Sequence, residues 1–252
     1  MLNTKLPRLI VPLLLCTVSL SACGNESGRD DSRSGNHAEA AAPKAHGSLS
    51  FRNRSSAIPQ LGQRMQRSVE RLGAEQVVLV SGDAPDSSYS TVHLYERGAK
   101  GEWRRAFEPW PARNGQRGWT MQHTAGDLSS PVGVFGLSDA GGLLPDPGSK
   151  LPYDQSPVYE EDGVGSLGQS LRGAFDHVVA INYNRNPGTP PRNLVRPMGS
   201  ERGGGIFIHI DHGGPTQACV ALPRKKMSDL LKWLDPRMHP VIAMGDIESV
   251  SR

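Results

Sequence analysis

Apolar and polar positions in this chain follow two periods. Leu61, Met65, Val69 and Leu72 recur at spacings of four, four and three, with Gln, Arg and Glu between them. That spacing predicts an amphipathic helix with one apolar stripe, ended at Gly73. The β-branched run Gln76 to Ser81 predicts a strand, and Thr91 to Glu96 alternates apolar and polar positions as a half-buried strand does. A turn across Gly98 to Gly101 leads into an aromatic-rich run, Trp103 to Phe107. Further strands are predicted over 132–137, 178–183 and 206–210. Met227, Leu230, Leu231 and Leu234 fall at i, i+3, i+4 and i+7, predicting a second helix that stops at Asp235-Pro236. A last short strand is predicted over 241–244.

Many short strands with few helices predict a mainly β domain, a β-sandwich or a barrel-like fold with peripheral helices. The 29 glycines and 20 prolines, spread along the chain, favour turns over long helices and support the same reading. No internal repeat is present.

The N-terminal segment obeys neither period. Lys5 and Arg8 precede an apolar stretch, Leu9 to Leu20, too short to cross a bilayer core of about 30 Å as a helix. Leu20-Ser21-Ala22-Cys23 resembles the lipobox of bacterial lipoproteins. That resemblance implies a signal peptide over 1–22, lipidation of Cys23, and a place in the cell envelope, outside the cytoplasm and anchored to a membrane. An ordinary secretory signal cleaved near Ala22 is the alternative, and it would leave Cys23 free to pair with Cys219. Residues 23–50 are polar and Ala-rich, without the apolar surface needed to offset ordering entropy, and are expected to be a flexible tether. Residues 51–252 suit a single domain with a real core. Without residues 1–22 the formal net charge falls from +3 to +1. No basic stripe with interleaved aromatics is seen, so nucleic acid is not an expected partner.

Three cysteines are present. With Cys16 in the signal peptide and Cys23 lipidated, Cys219 is the one thiol left on an exported chain, which makes it a candidate nucleophile. Residues 203–222 read GGGIFIHIDHGGPTQACVAL. On a strand over 206–210, Phe207, His209 and Asp211 share one face and Ile206, Ile208 and Ile210 the other. A thiol attacks as thiolate, and a free cysteine of pKa ~8.5 is only about 3% ionised at pH 7. An imidazole that takes the proton recovers about 2 kcal/mol of that deficit. His209 lies ten residues before Cys219, and a strand, a Gly-Pro turn and a return bring the two together. A metal site from His209, Asp211, His212 and Cys219 is a weaker reading, because His209 and His212 would point to different faces. No metal or cofactor is expected. His212 reads as a solvated turn residue, and His93, His123 and His177 as structural.

Phe207-Ile208-His209, then Pro215-Thr216-x-x-Cys219-Val220-Ala221-Leu222, is similar to the active-site region of the L,D-transpeptidase catalytic domain family. Upstream, Gly126 to Phe135 resembles that family's Thr-Pro-x-Gly-x-Phe strand, with Ser130 in place of the threonine. Pro145 to Tyr153 and Trp233-Leu234-Asp235-Pro236 resemble segments of one branch of the family. The resemblance extends over about residues 75–245. It implies that Cys219 attacks the peptide carbonyl of a peptidoglycan tetrapeptide stem, expels the terminal D-alanine and forms a thioester. His209 would be the general base, oriented by a nearby backbone carbonyl. The N–H of Cys219, with that of Ala218, would bind the oxyanion. Thr216, Gln217 and, in a lid, Tyr153 would contact substrate. An amine from a second stem would resolve the thioester into a cross-link, and carbapenem-type inhibitors would acylate the same thiol.

Two departures stand out. Thr216-Gln217-Ala218 replaces the Ser-His-Gly found in most of the family, and Ala221 stands where an arginine is usual. If position 218 needs a positive φ, alanine there costs about 1 kcal/mol. The alternatives are hydrolysis of the same acyl-enzyme, as in an L,D-carboxypeptidase or amidase, and a catalytically weak cell-wall-binding lipoprotein.

Overall fold

The computed structural model describes residues 56–252, so the proposed signal peptide, Cys23 and the tether lie outside the described residues. The β-branched and aromatic runs form strands where their alternation can bury one face. The first part of the chain forms α1 (Gln63–Arg71), β1 (Gln76–Gly82), β2 (Tyr89–Arg97), β3 (Trp103–Arg105) and β4 (Trp110–Arg113). Next come β5 (Trp119–Thr120), β6 (Ser130–Pro131), β7 (Gly133–Gly142), β8 (Tyr153–Gln155) and β9 (Val178–Ile181). The last part forms β10 (Phe207–Ile210), β11 (Val220–Leu222), α2 (Arg224–Trp233), β12 (Val241–Asp246) and α3 (Ile247–Ser251).

Eight of these strands close into a barrel in the order β1-β12-β7-β9-β10-β11-β4-β2, with β2 pairing back onto β1. β3 extends from β2, β8 from β7, and β5 and β6 form a separate pair. The fold is mainly β, with 17% helix. Closure decides between sandwich and barrel, and it leaves no unpaired edge around the ring.

The interior holds Val78, Val80, Val92, Leu94, Ile206, Ile208 and Ile210, capped by Met227, Leu230 and Leu231 of α2 and by Leu234 at its C-cap. Those four side chains are fully buried. At about 1.5–3 kcal/mol each, their burial holds a helix whose N-cap, Pro223, supplies no side-chain hydrogen bond. The alternate residues Val77 and Leu79 of β1 face outward and are covered by Met65 and Val69 of α1 and Val250 of α3. Leu72 departs from its expected stripe: it is the C-cap of α1, 47% exposed, and the chain turns at Gly73 with φ +62°.

β10 and β11 are parallel neighbours, with Ile208 opposite Val220 and His209 opposite Ala221. Only residues 211–219 join them, fewer than the dozen or more of an ordinary parallel crossover. The chain leaves β10, turns at Gly213-Gly214-Pro215 and runs back beside Gly115, which forms a parallel bridge with Thr216. One residue before Val220, this register places Cys219 level with Phe207. The short return therefore carries the thiol back to the strand that bears His209.

Candidate active site

As the alternation of β10 requires, Ile208 and Ile210 lie in the barrel core, with Ile206 just before the strand, while Phe207 packs in a separate outer cluster with Phe175 and Cys219. A cleft of about 370 Å³ opens on this outer side, lined among others by His123, Glu161, His209, His212, Gln217 and Cys219. It brings together the thiol and the imidazole singled out in the sequence.

Cys219 is half-buried. Its Sγ accepts from the Phe207 N–H at 3.4 Å, and its thiol faces the Gly205 carbonyl at 3.9 Å. Burial pushes the thiol up to about 11, with the Phe207 N–H opposing. His209 is 2% exposed, and its Nδ1 lies 2.9 Å from the Ile210 carbonyl. A carbonyl can only accept, so Nδ1 carries the proton and Nε2 is the basic nitrogen. Desolvation brings this imidazole down to about 4; the Ile210 carbonyl opposes the shift, and His212 adds to it. Both groups are therefore uncharged at neutral pH. Among the described residues no hydrogen bond joins Sγ to His209. At rest the cleft therefore holds a neutral thiol and a neutral imidazole.

The nucleophile loop is pinned from behind. The Ser130 hydroxyl is fully buried; it accepts from the Gly115 N–H at 2.9 Å and donates to the Ala218 carbonyl at 2.7 Å. The Thr216 hydroxyl donates to the Cys219 carbonyl at 2.7 Å, and Thr216 bonds through its main chain to Asn114 and Gln116. Across a planar trans peptide, the N–H of Cys219 points opposite to the Ala218 carbonyl, away from Ser130. Among the described residues the non-glycine positions of positive φ are Gln60, Leu128, Asn184 and His239, and Ala218 is not one of them. The feared strain at alanine is therefore absent.

Other expectations need correction. His209 and His212 do not diverge: their rings stack with centroids 5.6 Å apart and planes 8° apart. Strand alternation ends at Ile210, and the turn resets the direction of the next side chains. His212 is half-buried rather than solvated, and Gln169 Nε2 donates to its Nδ1 at 3.3 Å. Gln169 belongs to a hairpin with an isolated bridge, Val164 to Ser170, that overhangs the cleft. Tyr153 does not line the cleft, and its hydroxyl is engaged by the Leu144 carbonyl and His177 Nδ1. Of the residues before the cysteine, Thr216 is buried and committed to the loop, whereas Gln217 is exposed along the cleft.

Sequence reasoning also missed groups brought in from afar. His123, read as structural, lines the cleft. Arg113 of β4 sits opposite Ala221, so the neighbouring strand carries an arginine at the level where the L,D-transpeptidase pattern has one. Its charge helps to hold His212 below the ordinary imidazole value, after burial. Among the described residues, His, Cys, Asp and Glu form no group of three or more that could hold a metal ion. No protein-family model matches the chain, and neither does any curated protein.

Proposed function

We propose that this protein is an L,D-transpeptidase-like acyltransferase acting on peptidoglycan stem peptides, held in the cell envelope by a lipid on Cys23. The observation that carries the reading is the shared cleft of Cys219 and buried His209, with His209 Nδ1 tied to the Ile210 carbonyl. That bond fixes the tautomer that leaves Nε2 to take the thiol proton. Cys219 Sγ then attacks the stem carbonyl, the Cys219 N–H receives the oxyanion, and His209 returns the proton to the departing D-alanine amine. The sulfur is left as a thioester. An amine from a second stem breaks the C–S bond and completes a cross-link. Gln217, exposed on the cleft wall, is the substrate contact this arrangement supports best.

The lipobox-like segment and the residues that resemble the family's motifs support the same reading. Its test is intact-mass analysis after incubation with a carbapenem. The expected result is a single covalent adduct that disappears in C219A and forms far more slowly in H209A. No adduct at any time would favour a cell-wall-binding lipoprotein. Products from a tetrapeptide stem, with and without an acceptor amine, separate transfer from hydrolysis.

A further inference from the structure

The three glycines that open the β10 segment have no part in the acylation chemistry, yet they lie between two reactive groups. Gly203, Gly204 and Gly205 have φ of +64°, +146° and +69°, conformations that residues with a Cβ rarely adopt. A Cβ on Gly203 would stand 2.7 Å from His123 Nε2. Two residues on, the Gly205 carbonyl faces Cys219 Sγ. The run thus touches His123 at one end and the thiol at the other, with the Arg196 side chain packed on Gly204 between them.

His123 is built as a base would be. It is 4% exposed and lines the cleft, and its Nδ1 lies 3.0 Å from Asp127 Oδ1. The contact is a close approach rather than a directed hydrogen bond. The Asp127 carboxylate is itself fixed by the N–H groups of Thr124 at 2.8 Å and Ser129 at 2.9 Å. With Nδ1 turned to a carboxylate, Nε2 is the nitrogen left for chemistry. The ring is also held from behind, by an edge contact with Tyr183. Glu161 adds a carboxylate to the cleft lining, while Arg196 packs against Gly204 and Gly205 from outside that lining.

The second half-reaction needs such a group. An alkyl amine arrives at neutral pH as an ammonium and must lose one proton before it can attack and another afterwards. His209 can take only one of them. We propose that His123, positioned by Asp127, receives the acceptor ammonium and removes its first proton. The freed nitrogen lone pair forms the C–N bond to the thioester carbonyl. The second proton passes to His209, the C–S bond breaks with its electrons staying on sulfur, and His209 returns that proton to the thiolate. The proton on His123 leaves to solvent. This assignment rests on the acyl-enzyme reading above.

The test uses the acylated full-length protein with two acceptors, Nα-acetyl-lysine and hydroxylamine. Hydroxylamine is a weakly basic amine that is already unprotonated at neutral pH. For H123Q, transfer to the lysine amine falls about 100-fold, while transfer to hydroxylamine and carbapenem acylation stay within about twofold. D127N, which keeps an acceptor for only one of the two turn N–H groups, shows the same selectivity with a smaller loss. Equal losses with both acceptors, or no loss with either, would overturn the role of His123 while leaving the Cys219 thioester standing. Absence of any acyl-enzyme in the unmutated protein would overturn both proposals.

Discussion

The imidazoles of His209 and His212 lie parallel, 5.6 Å apart between centroids and 8° between planes. Two stacked rings in a partly dry cleft cannot both accept protons cheaply, and burial lowers both from their ordinary value. The pair is therefore kept neutral, which is the state a general base must occupy.

Stability should record this. An unfolded histidine titrates near 6.5, whereas folded His209 is held down to about 4. Between those values the unfolded chain binds a proton that the folded chain refuses. Stability is accordingly full above about pH 6.5 and declines as pH falls toward 4, by at most about 1.4 kcal/mol per pH unit for this one group. Urea unfolding of the wild type and H209Q from pH 7.5 to 4 checks it. The substitution should flatten the decline, and equal slopes would contradict the assignment.

Ser130 should matter to both folding and acylation. S130A leaves the buried Ala218 carbonyl without its donor and the Gly115 N–H without its acceptor. We expect a loss of about 1–3 kcal/mol in denaturant unfolding. Carbapenem acylation should also slow by roughly 10–100-fold as the thiol drifts. S130T, which keeps the hydroxyl, should restore most of both.

Ala218 should prove harmless. Since its φ is not positive, A218G should relieve no strain. The glycine adds freedom to the unfolded chain and should lower stability by about 0.4–1 kcal/mol without accelerating acylation. A marked rise in acylation rate would show that alanine does distort the nucleophile loop.

What the sequence made legible was local. Cys219 and His209 hang on one short stretch, so strand alternation and a Gly-Pro turn sufficed to pair them. The same alternation sorted Ile206, Ile208 and Ile210 into the core, away from Phe207. The alternation misplaces His212 because it stands two residues past the end of β10. Ser130 and His123 could not be recognised locally: the Ser130 bond to Ala218 spans 88 residues. Periodicity within a segment carries no information about such contacts. β4 was also missed, since Pro111 breaks the usual look of a strand, and that strand links β11 to β2 in the ring. Barrel closure itself depends on β1 pairing with β2 at one side and β12 at the other, a relation no local pattern decides.

The proposed function turns on a thioester between Cys219 and a peptidoglycan stem. Rapid-quench intact-mass spectrometry with a purified tetrapeptide stem, in the absence of an acceptor amine, tests it directly. The expected result is a transient adduct of the stem minus its terminal D-alanine, with one D-alanine released per adduct and none in C219A. Release of D-alanine by C219A at the wild-type rate, or no release from either protein, would contradict it.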